Sequence, residues 1–373
     1  MNTSPKAPPP KGPAPRPGVL LVAPYVGGES AIEGLERVVK LSSNENAFGP
    51  SPMAMEAYAR LAPDIHRYPD GGCKTLRRAL AAAWNLPAER IVCGAGSDEL
   101  IALLARAYLG PGDEALYSEH EFLMYPIATE GTGAKAIKVK ETNLTADVDA
   151  LLGAVTPATK MVFLANPNNP TGTYLPAARV RALRDRLPDR VLLVLDAAYA
   201  EFVTRADYTA GSELVEPDGN VVVLRTFSKI YGLGGLRLGW AFCPVAVADV
   251  LNRMRGPFNV SSAAQAAGAA ALADTAFVAK VRAHVETWRE WTAAEARRLG
   301  LEVTPGVGNF LLIHFPRQTG RDAAAADAFL KSRGVIVRRM ERYGLPQALR
   351  VTIGREDEMR AFAAALADFV HRG

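Results

Sequence analysis

Short aliphatic runs alternate with longer amphipathic stretches between Ile91 and Phe242. The two strongest runs, Val191–Leu195 and Val221–Leu224, contain only aliphatic residues. Strands of this kind are typical of parallel sheets that helices cover on both faces. The alternation therefore predicts an α/β fold with a mostly parallel sheet. Further strands of this sheet are predicted at residues 90–93, 114–117, 136–140, 160–165 and 238–242.

The last third of the chain has a different pattern, in which short strand-like runs enclose one helical stretch and a second helical stretch follows them. The runs lie at residues 301–304, 310–315, 335–338 and 349–353, and the helical stretches at 322–333 and 356–370. This pattern predicts a smaller α+β domain. We therefore expect four regions: a Pro-rich flexible tail at 1–18, an N-terminal arm at 19–50 that joins the small domain, a large α/β domain at 51–255 and a small C-terminal domain at 256–373.

Helical periodicity and helix start signals predict the other helices. These lie at residues 51–61, 75–84, 97–109, 179–186, 263–272 and 275–299. A short helix is also expected near residues 30–39, and residues 253–259 are expected to form a connector.

The composition is that of an ordinary soluble protein. Its net charge of +4 is small and dispersed, which argues against binding to nucleic acid or to a membrane surface. No apolar run is long enough for a transmembrane helix, and the start of the chain lacks the apolar core of a secretory signal. The three cysteines have no pair spacing, and Cys93 and Cys243 are expected in the core, so a reduced, cytoplasmic protein is predicted. The five histidines show no metal-ligand spacing.

Several candidate ligand groups, most of them polar or aromatic side chains, come directly after predicted strands. Because ligands bind at the carboxyl ends of the strands in such sheets, we expect these side chains to meet in one cleft. They are Gly96, Ser97, Asp98, Phe122, Asn169, Asp196, Ser228 and Lys229.

The turn after the strand at 90–93 reads Gly94-Ala95-Gly96-Ser97-Asp98-Glu99 and opens a helix. Backbone N–H groups and the helix dipole at such a start favour a phosphate. Glu99 occupies the place of the third glycine in a dinucleotide fingerprint, which disfavours a dinucleotide. Simple capping by Ser97 or Asp98 is the alternative, and it is compatible with phosphate binding.

Lys229 follows a buried strand, where an unpaired ammonium is unfavourable. It is either a surface lysine in a turn or an amine that forms a Schiff base with a carbonyl. Asp196 ends an aliphatic strand and needs a partner, which a protonated ring nitrogen would supply. Phe122 is either a core residue or a stacking surface for a flat ring. With phosphate ligands in Ser228 and Arg237, this set fits pyridoxal 5'-phosphate.

Two arginines, Arg338 and Arg350, lie at or inside strands of the small domain. An arginine in an apolar strand indicates either a bidentate anion ligand or an internal salt bridge.

Three motifs now identify a resemblance: Asn-Pro-Thr-Gly at 169–172, Asp-Ala-Ala-Tyr at 196–199, and Ser-Lys followed by Gly-Leu-Arg-Leu-Gly within 228–239. In this order and spacing they resemble the fold-type I, pyridoxal-phosphate-dependent aminotransferases. Asn44-Glu45-Asn46, Arg67-Tyr68-Pro69 and Leu349–Gly354 make the histidinol-phosphate aminotransferases the most similar group. The resemblance covers nearly everything after the Pro-rich tail.

The resemblance implies a role for each matching residue. Lys229, Asp196 and Tyr199 would be catalytic: Lys229 binds the cofactor covalently and then moves a proton, and Asp196 pairs with the ring nitrogen. Asn169 and Tyr199 would bind the phenolic oxygen of the cofactor, and Phe122 would stack on its ring, where relatives often have tyrosine. The phosphate would be bound by Gly96, Ser97, Asp98, Thr226, Ser228 and Arg237, and by Tyr68 of a neighbouring subunit.

The same resemblance implies the substrates and the assembly. Arg350 would bind the anionic end of the substrate with help from Arg338, and Tyr25 and Asn46 would lie nearby. The implied reaction converts L-histidinol phosphate and 2-oxoglutarate to imidazole acetol phosphate and L-glutamate, in a homodimer with shared sites. An aromatic amino acid aminotransferase is the alternative, and a threonine-phosphate decarboxylase is a more distant one. A non-catalytic nucleotide-binding domain would leave Lys229 and Asp196 unexplained.

Overall fold

The computed structural model describes residue 15 and residues 18–372, so nearly all of the tail predicted at 1–18 lies outside the described residues. The helices are α1 (Pro52–Ala59), α2 (Lys74–Trp84), α3 (Ser97–Tyr108), α4 (Met124–Glu130), α5 (Val148–Gly153), α6 (Ala177–Arg186), α7 (Val245–Met254), α8 (Ser262–Ala273), α9 (Thr275–Arg298), α10 (Ala323–Ser332) and α11 (Glu356–His371). The strands are β1 (Val39–Lys40), β2 (Ile91–Gly94), β3 (Glu114–Ser118), β4 (Lys135–Val139), β5 (Glu141–Thr142), β6 (Thr145–Ala146), β7 (Thr159–Ala165), β8 (Leu192–Asp196), β9 (Val221–Thr226), β10 (Gly239–Phe242), β11 (Glu302–Thr304), β12 (Phe310–His314), β13 (Val335–Ile336), β14 (Arg338–Met340) and β15 (Leu345–Thr352).

Seven strands form the central sheet, in the order β2-β10-β9-β8-β7-β3-β4. Strand β10 is antiparallel to both of its neighbours, whereas the other adjacent pairs are parallel. Alternate residues of β8 face opposite sides: Leu193 and Leu195 belong to one apolar cluster, and Leu192 and Val194 to another. Both faces of the sheet are therefore buried, which confirms the predicted fold class.

The C-terminal part contains a four-stranded antiparallel sheet, in the order β11-β12-β15-β14. The arm meets this part of the chain, because β1 pairs in parallel with β13. Further along the arm, the N–H of Thr352 donates to the carbonyl of Leu41 at 2.9 Å. These contacts support the predicted attachment of the arm, and the boundaries of the four regions stay predictions.

The helix predicted near residues 30–39 is wrong, because the structure has turns there and then β1. The N–H of Val39 at the end of this stretch donates to the distant carbonyl of Gly334 at 2.8 Å. Gly34, in its middle, has a φ of +83°. Neither feature fits an α-helical turn. Helices α4, α5 and α7 were not predicted.

All three cysteines, Cys73, Cys93 and Cys243, are buried and free. This confirms the prediction that Cys93 and Cys243 are apolar core residues. Within residues 18–372, none of the helices combines the length and the apolar character that crossing a membrane requires.

Candidate active site

A cavity of about 320 Å³ opens at the carboxyl ends of the central strands. Ala165, Asp196 and Thr226 are the last residues of β7, β8 and β9, and all three line it. Its size falls within the range of small-molecule sites, about 300–1,000 Å³. The structure brings most of the predicted site residues together here: Tyr25, Ser97, Asp98, Phe122, Asn169, Asp196, Tyr199, Thr226, Ser228, Lys229, Arg237, Arg338 and Arg350.

Asp196 is a buried carboxylate at the centre of the cavity wall and is only 5% exposed. Its Oδ2 accepts a hydrogen bond from the hydroxyl of Tyr125 at 2.9 Å, and its Oδ1 accepts one from the N–H of Ala198 at 3.2 Å. Burial nevertheless raises the pKa of Asp196 to about 6, against the opposing effects of these hydrogen bonds and of Lys229. A cationic ligand group would lower this pKa and offset the cost of burying the charge.

Lys229 lines the cavity, so the interpretation as a surface lysine is wrong. The turn that carries it is fixed on both sides. The N–H of Ser228 donates to the hydroxyl of Thr226 at 3.1 Å, and the preceding Phe227 is fully buried. The Nζ of Lys229 lies 5.5 Å from the ring centroid of Tyr199. Among the described residues no hydrogen-bond acceptor contacts this Nζ, so the amine is available to a ligand.

One end of the cavity is built for an anion. Helix α3 begins there at Ser97, and Arg237 crosses in front of it. The Nη1 of Arg237 donates to the hydroxyl of Ser228 at 3.4 Å, and its Nη2 to Asp98 Oδ2 at 3.2 Å. Gly96 has a φ of +85°, and a Cβ added to it would lie 2.4 Å from Arg237 Nη2. Gly96 does not line the cavity, but its missing side chain makes room for the guanidinium.

Arg350, on β15, forms the other polar end and is only 6% exposed. It donates through Nη1 to the side-chain oxygen of Asn169, and through Nη2 to the carbonyl of Ser42 at 2.9 Å. Its Nε is buried without a partner. Within the described chain Arg350 forms no ion pair, so the salt-bridge interpretation is not supported. Arg338 Nη2 donates to the carbonyl of Val26 at 2.6 Å, which holds the arm at the mouth of the cavity.

Besides Gly96, two predicted site residues do not line this cavity. Asn46 donates to the carbonyl of Ile230 at 2.6 Å, and so braces the turn next to Lys229. Tyr68 is 83% exposed and stacks on Phe258 at a centroid distance of 4.7 Å. Their proposed contacts with substrate and with a second subunit stay predictions.

Tyr125 and Asn44 are functional candidates that sequence reasoning missed. Tyr125 lies in the first turn of α4, three residues after Phe122, a spacing that places two side chains on neighbouring positions of a helical turn. Pro126 was the available signal, because proline is tolerated in the first turn of a helix. Asn44 belongs to the tripeptide that contains Asn46, and it donates to the hydroxyl of Tyr199 at 2.9 Å. Other lining residues that were not predicted are Gly27, Gly28, Ser42, Ser43, Glu45, Ala165, Pro167, Ala198 and Gly234.

A comparison with known protein families agrees with this arrangement of site residues. The sequence profile of the family described as aminotransferase class I and II matches residues 36–366 of the chain. The chain belongs to the class I and II aminotransferase family. The match extends over both the central sheet and the small C-terminal sheet, so it covers every residue that lines the cavity except those at the start of the arm.

Comparison with individual proteins identifies a narrower group of relatives within this family. The histidinol-phosphate aminotransferase of Paramagnetospirillum magneticum is 60% identical over 358 residues, which are 96% of this chain and 99% of the relative. That of Rhodospirillum rubrum is 55% identical over 358 residues, 96% of this chain and 97% of the relative. The crystal structure of the Sinorhizobium meliloti histidinol-phosphate aminotransferase in complex with pyridoxal-5'-phosphate has a TM-score of 0.86 at 30% identity, covering 95% of this chain and 97% of that one.

Proposed function

We propose that this aminotransferase uses pyridoxal 5'-phosphate to transfer the amino group of L-histidinol phosphate to 2-oxoglutarate. The products are imidazole acetol phosphate and L-glutamate, so the enzyme would serve histidine biosynthesis. The observation that carries the proposal is the grouping of Lys229, Asp196 and Arg350 around one cavity. The high identity to histidinol-phosphate aminotransferases over nearly the whole chain supports it.

The cavity has a group of opposite charge for each of two charged parts of the proposed cofactor, the ring nitrogen and the phosphate. Asp196 is a buried carboxylate that needs a cation, and a protonated pyridine nitrogen is one. The anion end at Ser97, Ser228 and Arg237 would bind the phosphate. Asp98 would repel a phosphate, so its side chain would act by orienting Arg237, with which it pairs. When bound, pyridoxal phosphate supplies an aldehyde for the amine and an electron sink for the substrate's α-carbon.

The protein's own residues would perform the remaining tasks. Lys229 is placed to bind the aldehyde and, once free, to move the proton at the α-carbon, because its Nζ has no competing partner in the described chain. Phe122 would stack on one face of the ring. Asn169 and Tyr199 would contact the phenolic oxygen. A protonated ring nitrogen would favour the ionised form of Asp196, and the carboxylate would in turn keep the proton on the ring nitrogen.

The substrate end must accept two kinds of anion in turn: the phosphate of histidinol phosphate and a carboxylate of 2-oxoglutarate. A planar guanidinium binds either one in a bidentate manner. Arg350 has an unpaired buried Nε and two other donors that point to neutral oxygens, which an incoming anion can replace as acceptors. Arg338 and Tyr25 line the same end.

The proposed homodimer is supported by an exposed apolar surface near α1. Its residues are Met53, Met55, Tyr58, Ile65, Tyr68 and Phe258, which are between 45% and 83% exposed. Large exposed apolar patches mark protein–protein contacts. A second copy of the chain on this surface would bury Tyr68 and bring it toward a phosphate in the partner's cavity.

The test compares half-reactions of the purified, cofactor-loaded protein. L-histidinol phosphate is expected to bleach the visible cofactor band faster than phenylalanine or tyrosine at equal concentration, and 2-oxoglutarate is expected to restore it. Faster bleaching by phenylalanine would favour the aromatic alternative, and carbon dioxide release from threonine phosphate the decarboxylase. A protein that stays colourless with added pyridoxal phosphate, while the Lys229→Ala variant behaves identically, contradicts the proposal.

A further inference from the structure

Asn44 lies in the arm, yet its polar atoms bond to three separate parts of the molecule. It is only 1% exposed and has a left-handed φ of 54°. Its N–H donates to the hydroxyl of Thr352 at 2.9 Å, and that hydroxyl donates back to Asn44 Oδ1 at 3.1 Å. Its Nδ2 donates to the hydroxyl of Tyr199 at 2.9 Å. Asn309 donates to the carbonyl of Asn44 at 3.0 Å. The side chain is therefore fixed at both ends.

Thr352 determines which way the amide of Asn44 faces. A threonine hydroxyl has one hydrogen, and Asn44 Oδ1 is the acceptor it contacts. If the amide were flipped, its NH₂ group would face Thr352 and that buried hydroxyl hydrogen would lose its acceptor. A buried donor without a partner is unfavourable. The observed orientation is the one that satisfies every group, and it presents an N–H to Tyr199.

The consequence concerns the hydrogen of the Tyr199 hydroxyl. A tyrosine hydroxyl can donate one hydrogen bond, and it accepts through its lone pairs. Because Asn44 already donates to this oxygen, the Tyr199 hydrogen cannot point back at Asn44 and is directed elsewhere. Tyr199 lines the cavity, and its ring makes an edge contact with Phe310 at a centroid distance of 5.3 Å.

We infer that Asn44 is a positioning residue that makes Tyr199 a hydrogen-bond donor toward the cofactor, with Thr352 fixing the polarity. The inference rests on the proposed function, because the acceptor it needs is the phenolic oxygen of pyridoxal phosphate. A hydrogen bond donated to that oxygen favours the deprotonated form of the link between cofactor and lysine, and so lowers its pKa. Asn44 thus acts on the cofactor only through Tyr199.

The test is the pH midpoint at which the visible band of the bound cofactor shifts in the purified, loaded protein. Asn44→Asp is expected to reverse the polarity, because a carboxylate only accepts and would take the Tyr199 hydrogen. Because Tyr199 would no longer donate to the cofactor, we expect the pH midpoint to rise by about one to two units. Tyr199→Phe alone is expected to give a similar rise. Asn44→Gly, which adopts the same φ without strain, leaves the Tyr199 hydrogen in the cavity and should shift the midpoint less than half as far.

The double variant Asn44→Asp, Tyr199→Phe distinguishes the effect on the Tyr199 hydrogen from the effect of the added negative charge. The other ionisable groups that line the cavity stay unchanged in all of these variants: Tyr25, Glu45, Asp98, Tyr125, Asp196, Lys229, Arg237, Arg338 and Arg350. In the Tyr199→Phe background, Asn44→Asp keeps its charge but has no hydroxyl to redirect, so a smaller further shift is expected. An equal shift in both backgrounds overturns the inference.

A crystal structure of the loaded wild-type protein gives a second, independent test. The Tyr199 hydroxyl is expected within hydrogen-bond distance of both Asn44 Nδ2 and the phenolic oxygen. A hydroxyl that contacts Asn44 alone overturns the inference even if no variant folds. A protein that binds no cofactor would instead contradict the proposed function, so the two failures are distinguishable.

Discussion

Replacing Asp196 by asparagine should affect the cofactor-free and the cofactor-loaded protein in opposite directions. Asparagine has the shape of aspartate without its charge. Its side-chain oxygen can accept from the buried hydroxyl of Tyr125, but its NH₂ group cannot accept from the N–H of Ala198, so one of the two hydrogen bonds of Asp196 is lost. The substitution therefore removes a buried charge and leaves the packing of β8 unchanged.

The size of the effect follows from the pKa of Asp196. Burial raises it from 3.8 to about 6, so the folded chain binds this proton more tightly than the unfolded chain. The free energy of unfolding therefore falls as the pH rises through this window. Without cofactor the loss reaches about 3 kcal/mol at pH 7 and about 1 kcal/mol at pH 4.5. Asp196→Asn removes this pH-dependent penalty but loses one hydrogen bond, which costs about 1–3 kcal/mol at either pH. We therefore expect the stability of the variant relative to the wild type to rise by about 2 kcal/mol between pH 4.5 and pH 7.

The assay is urea unfolding of both cofactor-free proteins at the two pH values, with the exposed Asp218→Asn as a control that should change neither. Pyridoxal phosphate is then added. It should stabilise the wild type far more than Asp196→Asn, because only the carboxylate attracts the protonated ring nitrogen. Turnover of the loaded variant should fall by orders of magnitude. A stability difference between the two cofactor-free proteins that is the same at both pH values would refute the account of Asp196 as a penalised charge.

Three further predictions concern the two ends of the cavity and the residue behind Asp196. Tyr125→Phe leaves Asp196 Oδ2 without its donor, which should weaken cofactor binding by about 1–3 kcal/mol in an equilibrium titration, whereas Tyr117→Phe, also on a buried tyrosine, should not. Gly96→Ala strains a φ of +85° and displaces Arg237, so the dissociation constant for pyridoxal phosphate should rise at least tenfold; an unchanged constant would show that the guanidinium does not need this space. Arg350→Lys cannot form a fork, and KM for both substrates should rise together while the visible cofactor band keeps its position; a rise for only one substrate would contradict a shared anion site.

Much of the fold was predictable because its strands are locally encoded. The aliphatic runs at 191–195 and 221–224 must be buried wherever they lie, and each ends beside a catalytic candidate. The stretch at 30–39 shows where such reasoning stops. Its end is fixed by a strand far along the chain, because Val39 donates its N–H to the carbonyl of Gly334 and β1 pairs with β13. No local pattern carries that information.

The candidate site divides in the same way. Lys229, Asp196 and Asn169 follow strands in recognisable motifs, and their residue types indicate the chemistry by themselves. Asn44 and Tyr125 escaped prediction because they touch other site residues, Tyr199 and Asp196, across 155 and 71 positions of sequence. A residue whose function is to orient another has no chemical signature of its own until the fold brings the two together.

The contacts of the arm also constrain when the cavity can form during synthesis. Ser42 and Asn44 bond to Arg350 and Thr352, each pair 308 positions apart. Chains leave the ribosome N-terminus first, so the arm emerges long before its partners exist. Closing so long a loop is entropically unfavourable until the remaining contacts reward it.

A nascent chain that has released α8 already contains every strand of the central sheet, the lysine and two partners of the arm, Tyr199 and Ile230. It still lacks Arg350 and Thr352. Its cavity would have an anion end and an open opposite side. Selectivity for a substrate's anionic tail would thus be acquired in the last step of folding, when β15 reaches the segment Ser42–Asn44 and closes the site. A chain that ends before β15 would retain the lysine and its reactivity toward aldehydes without the arginine that selects among substrates.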